Sequence, residues 1–361
     1  MKKIRLILMT LLVFALLAGC GSKNTAEKYV GSQITDIKEG NVDLLSSVLD
    51  AGIEESDSLY TLSFPEELKE TYLSFLKEAF KSIEFEVSSA KENGENTYSV
   101  RVSFSPLDIG TTTEDVCNDY VNNMTSSDLT AEVSTLLENA QKAIADKPVY
   151  GEETYITLTV KKDGDAFSIA DEDMHTFLMQ VFLKYMQPYD SVCEILNEQD
   201  YLTAYLDATF KGEVAQFARH TNQTEDEVYA WYEEDVFTPP AELSAAYADR
   251  YETALKEIFR QCKYTVGIPK KEAGGYNYTV DVTVIPNRSL ANATAELANN
   301  TYYSVDALSK GFVEILEKYA ASPVYGEETV VTISVDYQTL SSAGEADAEM
   351  TRLGDTIIPG E

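Results

Sequence analysis

The chain has 361 residues, with 61 Asp and Glu against 28 Lys and Arg, for a formal net charge of −33 at pH 7. So acidic a surface repels nucleic-acid phosphates and anionic headgroups, which argues against nucleic acid as a partner, and it attracts cations, cationic peptides or basic protein patches. Hydrophobic residues at 44% and aromatics at 11%, without a long low-complexity tract, fit a globular protein of two ordinary domains.

Met1-Lys-Lys-Ile-Arg5 precedes an apolar run from Leu6 to Leu17 and then Leu17-Ala-Gly-Cys20. A basic start, a short apolar core and small residues form a secretory signal, and the run is too short for a confident membrane span. The Leu-Ala-Gly-Cys tetrad resembles the lipobox of bacterial lipoproteins. That resemblance implies that Cys20 becomes the mature N-terminus, carries a diacylglyceryl group and holds the protein on the outer face of the cytoplasmic membrane. Loss of Lys2, Lys3 and Arg5 with the signal takes the charge from −33 to about −36.

Pro148-Val-Tyr-Gly-Glu-Glu-Thr154 recurs letter for letter at Pro323–Thr329. Its surroundings align as well. Val133, Leu137, Ala140 and Ile144 match Leu308, Phe312, Ile315 and Tyr319 at helical spacing, and the alternating run Tyr98–Pro106 matches Tyr278–Pro286. The expected organisation is a signal peptide at 1–19, a tether at 20–28, one module at 29–182, its repeat at 183–343 and an acidic tail at 344–361.

In chain order, the pattern predicts a helix over Ala26–Glu39 stopped by Gly40, a short helix near Val42–Leu49, and a helix opened by Pro65 that reaches about Ser82. Phe85–Ser89 and Thr97–Ser105 then read as a hairpin around Asn93-Gly94. Thr113 and Ser127-Asp128 look like caps, so Glu114–Ala145 is one broken helix or two. Strand Tyr155–Lys162 turns at Asp163-Gly164 into a fourth strand, Ala166–Ile169. A linking helix runs from Asp173 to Tyr185, and Pro188 marks the boundary between modules.

The second copy repeats the order. Helices are expected near Ile195–Phe210, Glu225–Val236 and Ala241–Gln261, and strands over Tyr264–Ile268 and Tyr276–Ile285. Helical material from Leu290 to Tyr319 precedes a strand over Thr329–Tyr337. The tail from Ser341 shows no further strand. The fold class is α+β: two tandem modules, each a small, mainly antiparallel sheet of three to four strands packed against helices.

No motif in the chain carries a known chemistry. Gly-x-Ser-x-Gly, phosphate-loop, His-Glu-x-x-His and Cys-x-x-Cys patterns are missing. The only histidines, His175 and His220, fall at unmatched places in the two copies, which weighs against a zinc site or a histidine-activated nucleophile. Asp163, Asp165 and Asp171–Asp173 beside His175 lack calcium-loop spacing, and a turn and a helix N-terminus account for them. No catalytic, cofactor-binding or metal-binding residue is assigned, and no cofactor is expected. Cys117, Cys193 and Cys262 sit at unmatched positions and allow at most one disulfide.

Two readings of the duplicated heptapeptide stand. It is a recognition loop presented twice, built on Tyr150, Glu152, Glu153, Tyr325, Glu327 and Glu328, or it is a helix-to-strand junction in which proline stops the helix, glycine turns and tyrosine packs. The junction is favoured.

The stretches Tyr201-Leu-Thr-Ala-Tyr-Leu-Asp207, Lys211-Gly-Glu213, Thr224–Glu227, Tyr264-Thr-Val266 and Tyr278–Val282 resemble uncharacterised lipoprotein domains of Gram-positive, clostridia-like bacteria. That resemblance implies display outside the membrane and brings no catalytic residues. The first copy departs most over residues 50–63. The expected function is a lipid-anchored, non-enzymatic binding or interaction module whose partner is the membrane through Cys20 together with a basic envelope protein or peptide. The alternatives are a carboxylate-dependent extracytoplasmic hydrolase and a ligand-capturing lipoprotein that serves a transporter or sensor.

Overall fold

The computed structural model describes residues 25–40, 42–233, 237–272, 277–340 and 348–360. The signal peptide and Cys20 lie outside them. None of the described helices is long and apolar enough to cross a membrane. The architecture is α+β, with antiparallel sheets packed against helices.

Two compact units form, and both are assembled from separated stretches. The first takes residues up to Leu49 with Leu73–Ile109 and Pro148–Leu183; the second takes Asp50–Tyr72, Gly110–Lys147 and the chain from Lys184 onward.

In the first unit, α1 (Ala26–Glu39) ends at Gly40 and buries Val30, Ile34 and Ile37. The next helix, α2, runs over Asp43–Leu59, ten residues past the expected end, and only its start belongs to this unit. The helix opened by Pro65 is a 3-10 turn followed by α3 (Lys69–Lys81). The sheet is β1 (Phe85–Val87), β2 (Lys91–Gly94), β3 (Thr97–Phe104), β5 (Thr154–Asp163) and β6 (Ala166–Ile169). β3 pairs with β1, β2 and β5, and β6 closes the edge of β5, all antiparallel.

The hairpin turn sits at Glu95-Asn96 instead of Asn93-Gly94, because Asn96 takes the left-handed conformation at φ 55° and frees Lys91–Gly94 to pair as a strand. Alternation along β3 sends Val100, Val102 and Phe104 inward and Arg101 outward over the Tyr155 ring. Phe104, Phe85 and Phe80 form a chain of ring contacts, with Phe177 against both Phe85 and Phe104. Phe177 comes from α6 (Asp171–Val181), which stops four residues short of Tyr185. The chain then extends as β7 (Phe182–Leu183), which pairs with β4 (Leu107–Asp108) in parallel.

In the second unit Pro188 does not separate modules. It lies in the first turn of α7 (Gln187–Lys211), where a missing N–H costs nothing, and α7 is the 25-residue axis of the unit. Around it pack α5 (Leu129–Asp146), α8 (Ala215–Thr221), α9 (Glu225–Glu233) and α10 (Ala248–Arg260). The crossover 109–146 is two helices, α4 (Ile109–Val121) and α5. Asp128 caps α5 by accepting from the Ala131 N–H, whereas Thr113 lies buried inside α4 and is not a cap.

Gly52 explains the length of α2. A Cβ there would come within 2.7 Å of Tyr185 and Met186 carbons, so the glycine lets the helix run on past these side chains where a larger residue would collide. At the other end of α7, Gly212 stops the helix in the left-handed conformation at φ 71°.

The sheet repeats the first: β8 (Lys263–Val266), β9 (Lys270–Lys271) and β11 (Thr329–Val335) all pair antiparallel with β10 (Tyr278–Ile285). α11 (Ser289–Ala298) and α12 (Val305–Ala321) follow, and Ala254, Ile258, Ala293, Ile315 and Leu316 form the core between α10 and these two. A short helix, α13 (Tyr337–Leu340), follows β11. The acidic tail is not an extension without structure: Ala348–Ile357 forms α14, which buries Met350, Leu353 and Ile357. Cys117, Cys193 and Cys262 are free and buried.

Candidate functional site

The duplicated heptapeptide performs the same mechanical task in each copy. The Tyr150 hydroxyl donates to the Ser82 carbonyl just beyond α3, and the Tyr325 hydroxyl donates to the Gln261 carbonyl just beyond α10. Gly151 N–H donates to the Pro106 carbonyl and Gly326 N–H to the Pro286 carbonyl, each at 2.8 Å. Proline, tyrosine and glycine thus fasten a helix-to-strand junction to the end of the central strand. Glu152, Glu153, Glu327 and Glu328 point to solvent.

Tyr150→Phe and Tyr325→Phe should each lower stability by about 0.5–1.5 kcal/mol in urea unfolding, the net contribution of one hydrogen bond. The cost should be greater at the less exposed Tyr325. A recognition role instead predicts unchanged stability.

Among the remaining polar residues, Asp171–Asp173 form the first turn of α6, the Asp173 carboxylate accepts from the Thr159 N–H, and the His175 ring meets the Ser47 hydroxyl at 3.0 Å. Asp173 and His175 thus each have a structural partner. Among the described residues no group of three or more His, Cys, Asp or Glu is placed to hold a metal ion.

Chemistry gathers elsewhere, within the second unit. A cavity of about 550 Å³ is lined by residues of four segments: Ser58–Thr61 across the end of α2, Asn197, Glu198 and Tyr201 of α7, Arg219, His220 and Asn222 at the end of α8, and Tyr337 at the start of α13. Thr61 ties the first three together. Its N–H and hydroxyl both reach the Asn197 Oδ1 at 3.0 Å, and its carbonyl accepts from Arg219.

His220 has a side chain only 2% exposed, its ring stacked 4.6 Å from Tyr201, and its Nε2 lies 2.7 Å from Asp200 Oδ2. Burial raises the Asp200 pKa, but the hydrogen bonds from His220, Gln216 and Thr61 and the nearby imidazole charge outweigh it and leave it below the ordinary range.

This cluster does not form a nucleophile relay. The Thr61 hydroxyl and the Asp200 carboxylate approach the same nitrogen, Nε2, whereas a serine-type relay needs nucleophile and acid on opposite ring nitrogens. Its geometry suits holding the wall of a pocket.

Glu198 is different. Burial pushes its carboxyl pKa up to about 7, the Glu194 charge adds to the shift, and Lys271 opposes it. Its Oε2 is buried with no hydrogen-bond partner, and so is the hydroxyl of Tyr337, a residue only 7% exposed. Buried polar atoms are normally satisfied, and leaving one bare costs about 1–3 kcal/mol. Both atoms are sealed off within residues that line the cavity, so a ligand that displaces this wall would supply the partners they lack.

None of these residues is marked by a sequence motif. The offset that pairs Tyr201 with Tyr29 and Val214 with Val42 sets Lys28 and Val48 against Asp200 and His220. The site therefore occupies positions where the copies diverge, and that divergence is the signal that could have found it. No family model matches the chain, and no curated protein or solved structure matches it at a significant level.

Proposed function

We propose that the protein is a lipid-anchored, extracytoplasmic binding protein that captures a small polar ligand in the cavity of its second unit. The observation that carries this reading is that two residues lining the cavity, Glu198 and Tyr337, each hold a buried polar atom without a partner, Oε2 and the hydroxyl. Anchoring rests on the lipobox at Cys20, and the acidic charge favours cationic partners.

The test is a thermal-shift screen of the intact protein, purified in mild detergent, against amines, amino acids, sugars and carboxylic acids. One chemical class should raise Tm, and Glu198→Gln and Tyr337→Phe should weaken that response without unfolding the protein. If every class leaves Tm unchanged, or the variants respond as the wild type does, the cavity is not the binding site.

A further inference from the structure

The cavity has a chemically specific wall. Tyr60, Tyr201 and Tyr337 contribute aromatic rings, and Glu198 contributes a carboxylate oxygen that nothing in the protein satisfies. One turn earlier on α7, Glu194 is already engaged: the Tyr278 hydroxyl and the Lys271 ammonium both contact its Oε1 at 2.6 Å. Glu198 is thus the acid on this face of α7 left without a donor. An ammonium group supplies what it lacks, because it carries several N–H donors, a positive charge, and a preference for the electron-rich faces of aromatic rings. The cations of the site are otherwise occupied: Arg219 donates to the Thr61 carbonyl and to Gln216, and Lys271 binds Glu194.

Resting on the reading of this cavity as a ligand site, we infer that it takes an organic cation whose protonated amine sits among the rings of Tyr60, Tyr201 and Tyr337, with Glu198 as its counter-ion. Binding is then coupled to a proton. The empty site keeps Glu198 largely protonated in mildly acidic solution, and the arriving ammonium favours the carboxylate, so the carboxyl proton leaves to solvent as the ion pair forms.

The groups facing Glu198 are Glu194 on its own helix, Lys271 on β9, Tyr278 on β10, Tyr337 on α13 and Tyr60 after α2, with Arg219 and His220 across the cavity. Burial pushes the Tyr60, Tyr278 and Tyr337 hydroxyls up, so they keep their protons between pH 6 and 8.

The experiment is isothermal titration of the intact protein with n-butylammonium and choline chlorides, with sodium acetate and glucose as contrasting probes. It is run at pH 6 and 8 in buffers of differing ionisation enthalpy. The amines should bind about tenfold more tightly at pH 8 than at pH 6, the ratio for a single site that must lose a proton with a pKa near 7. Close to one proton should be released at pH 6 and few at pH 8.

Glu198→Gln should lose at least tenfold in amine affinity together with most of the proton release. Pronounced pH dependence that persists in this variant overturns the role of Glu198. Binding of acetate or glucose in place of the amines, abolished by Tyr337→Phe, overturns the amine class and leaves the ligand site standing. Failure of all four probes overturns the amine inference, and the broader screen then decides whether the cavity binds anything.

Discussion

Residues 24–182 and 190–343, expressed as separate chains, will each fail to give a cooperative unfolding transition. A tandem repeat with a boundary at 182/183 suggests the opposite, but the second compact unit draws Asp50–Tyr72 and Gly110–Lys147 from the first copy. A chain beginning at 190 loses the Tyr72 hydroxyl on the Tyr185 carbonyl, the Ser56 hydroxyl on the Asp190 carboxylate and the Phe64 ring against Tyr189. It also loses α5, whose Val133, Leu136, Leu137, Ala140 and Ile144 are buried and which packs on α7. At about 1.5–3 kcal/mol for each larger apolar side chain returned to water, the loss from α5 alone rivals the 5–15 kcal/mol that holds a domain together. The complementary chain keeps those helices without the α7 surface they cover, so it should associate. Circular dichroism melts and sedimentation of the two fragments check this. A sharp, reversible melt of 190–343 as a monomer would show that the second copy needs nothing from the first.

The long strands were legible because period-two alternation reports local geometry: β5 and β6 lie within a residue of their expected bounds, and β10 within two, although the first hairpin turns two residues later than expected. The larger departures had non-local causes. The short helix expected near Val42–Leu49 runs on because Gly52 leaves the gap that admits Tyr185 and Met186, and Pro188 reads as a boundary but starts the longest of the described helices. The acidic tail shows no further strand, yet Met350, Leu353 and Ile357 fall on one buried helix face. The duplicated heptapeptide drew attention because it is identical in both copies, and what its tyrosine and glycine do there is a shared structural task. The cavity lay hidden for the opposite reason. Glu198, with Asp200 and His220 behind it, meets Thr61 and Tyr337 only through folding, in a chain where 61 carboxylates give no single one prominence. The hydrolase alternative called for two facing acids with displaced pKa values. Glu198 and Asp200 are displaced in opposite directions, but Asp200 is turned to His220 and Gln216 and is spoken for.

Stability should fall as the pH rises from about 4 to about 7, and two buried acids should account for a measurable part of the fall. Burial pushes Asp190 up to about 6, against a stabilising hydrogen bond from Ser56, and Glu198 up to about 7, from ordinary values of 3.8 and 4.5. In the folded state both hold their protons more tightly than in the unfolded chain. Their contribution is therefore complete below the ordinary values and is lost as the pH rises through the folded ones. Each accounts for on the order of 1–3 kcal/mol after allowance for residual solvent screening, or several degrees of Tm for a chain of this size. Asp200 works the other way: its lowered pKa favours the fold above 3.8 and is lost in stronger acid, so the optimum lies near pH 4–5. General repulsion among the carboxylates has the same sign as the two buried acids, which makes the wild-type profile alone indecisive. The Asp190→Asn, Glu198→Gln double variant separates the two effects. It removes the local protonation and leaves nearly the whole surface charge, so its Tm should exceed the wild type's at pH 8 and vary less between pH 5 and 8. A double variant whose profile runs parallel to the wild type would locate the pH dependence on the surface. A flatter profile would place the dependence on the two buried acids, and an ammonium ligand paired with Glu198 should then stabilise the wild type more at pH 8 than at pH 5.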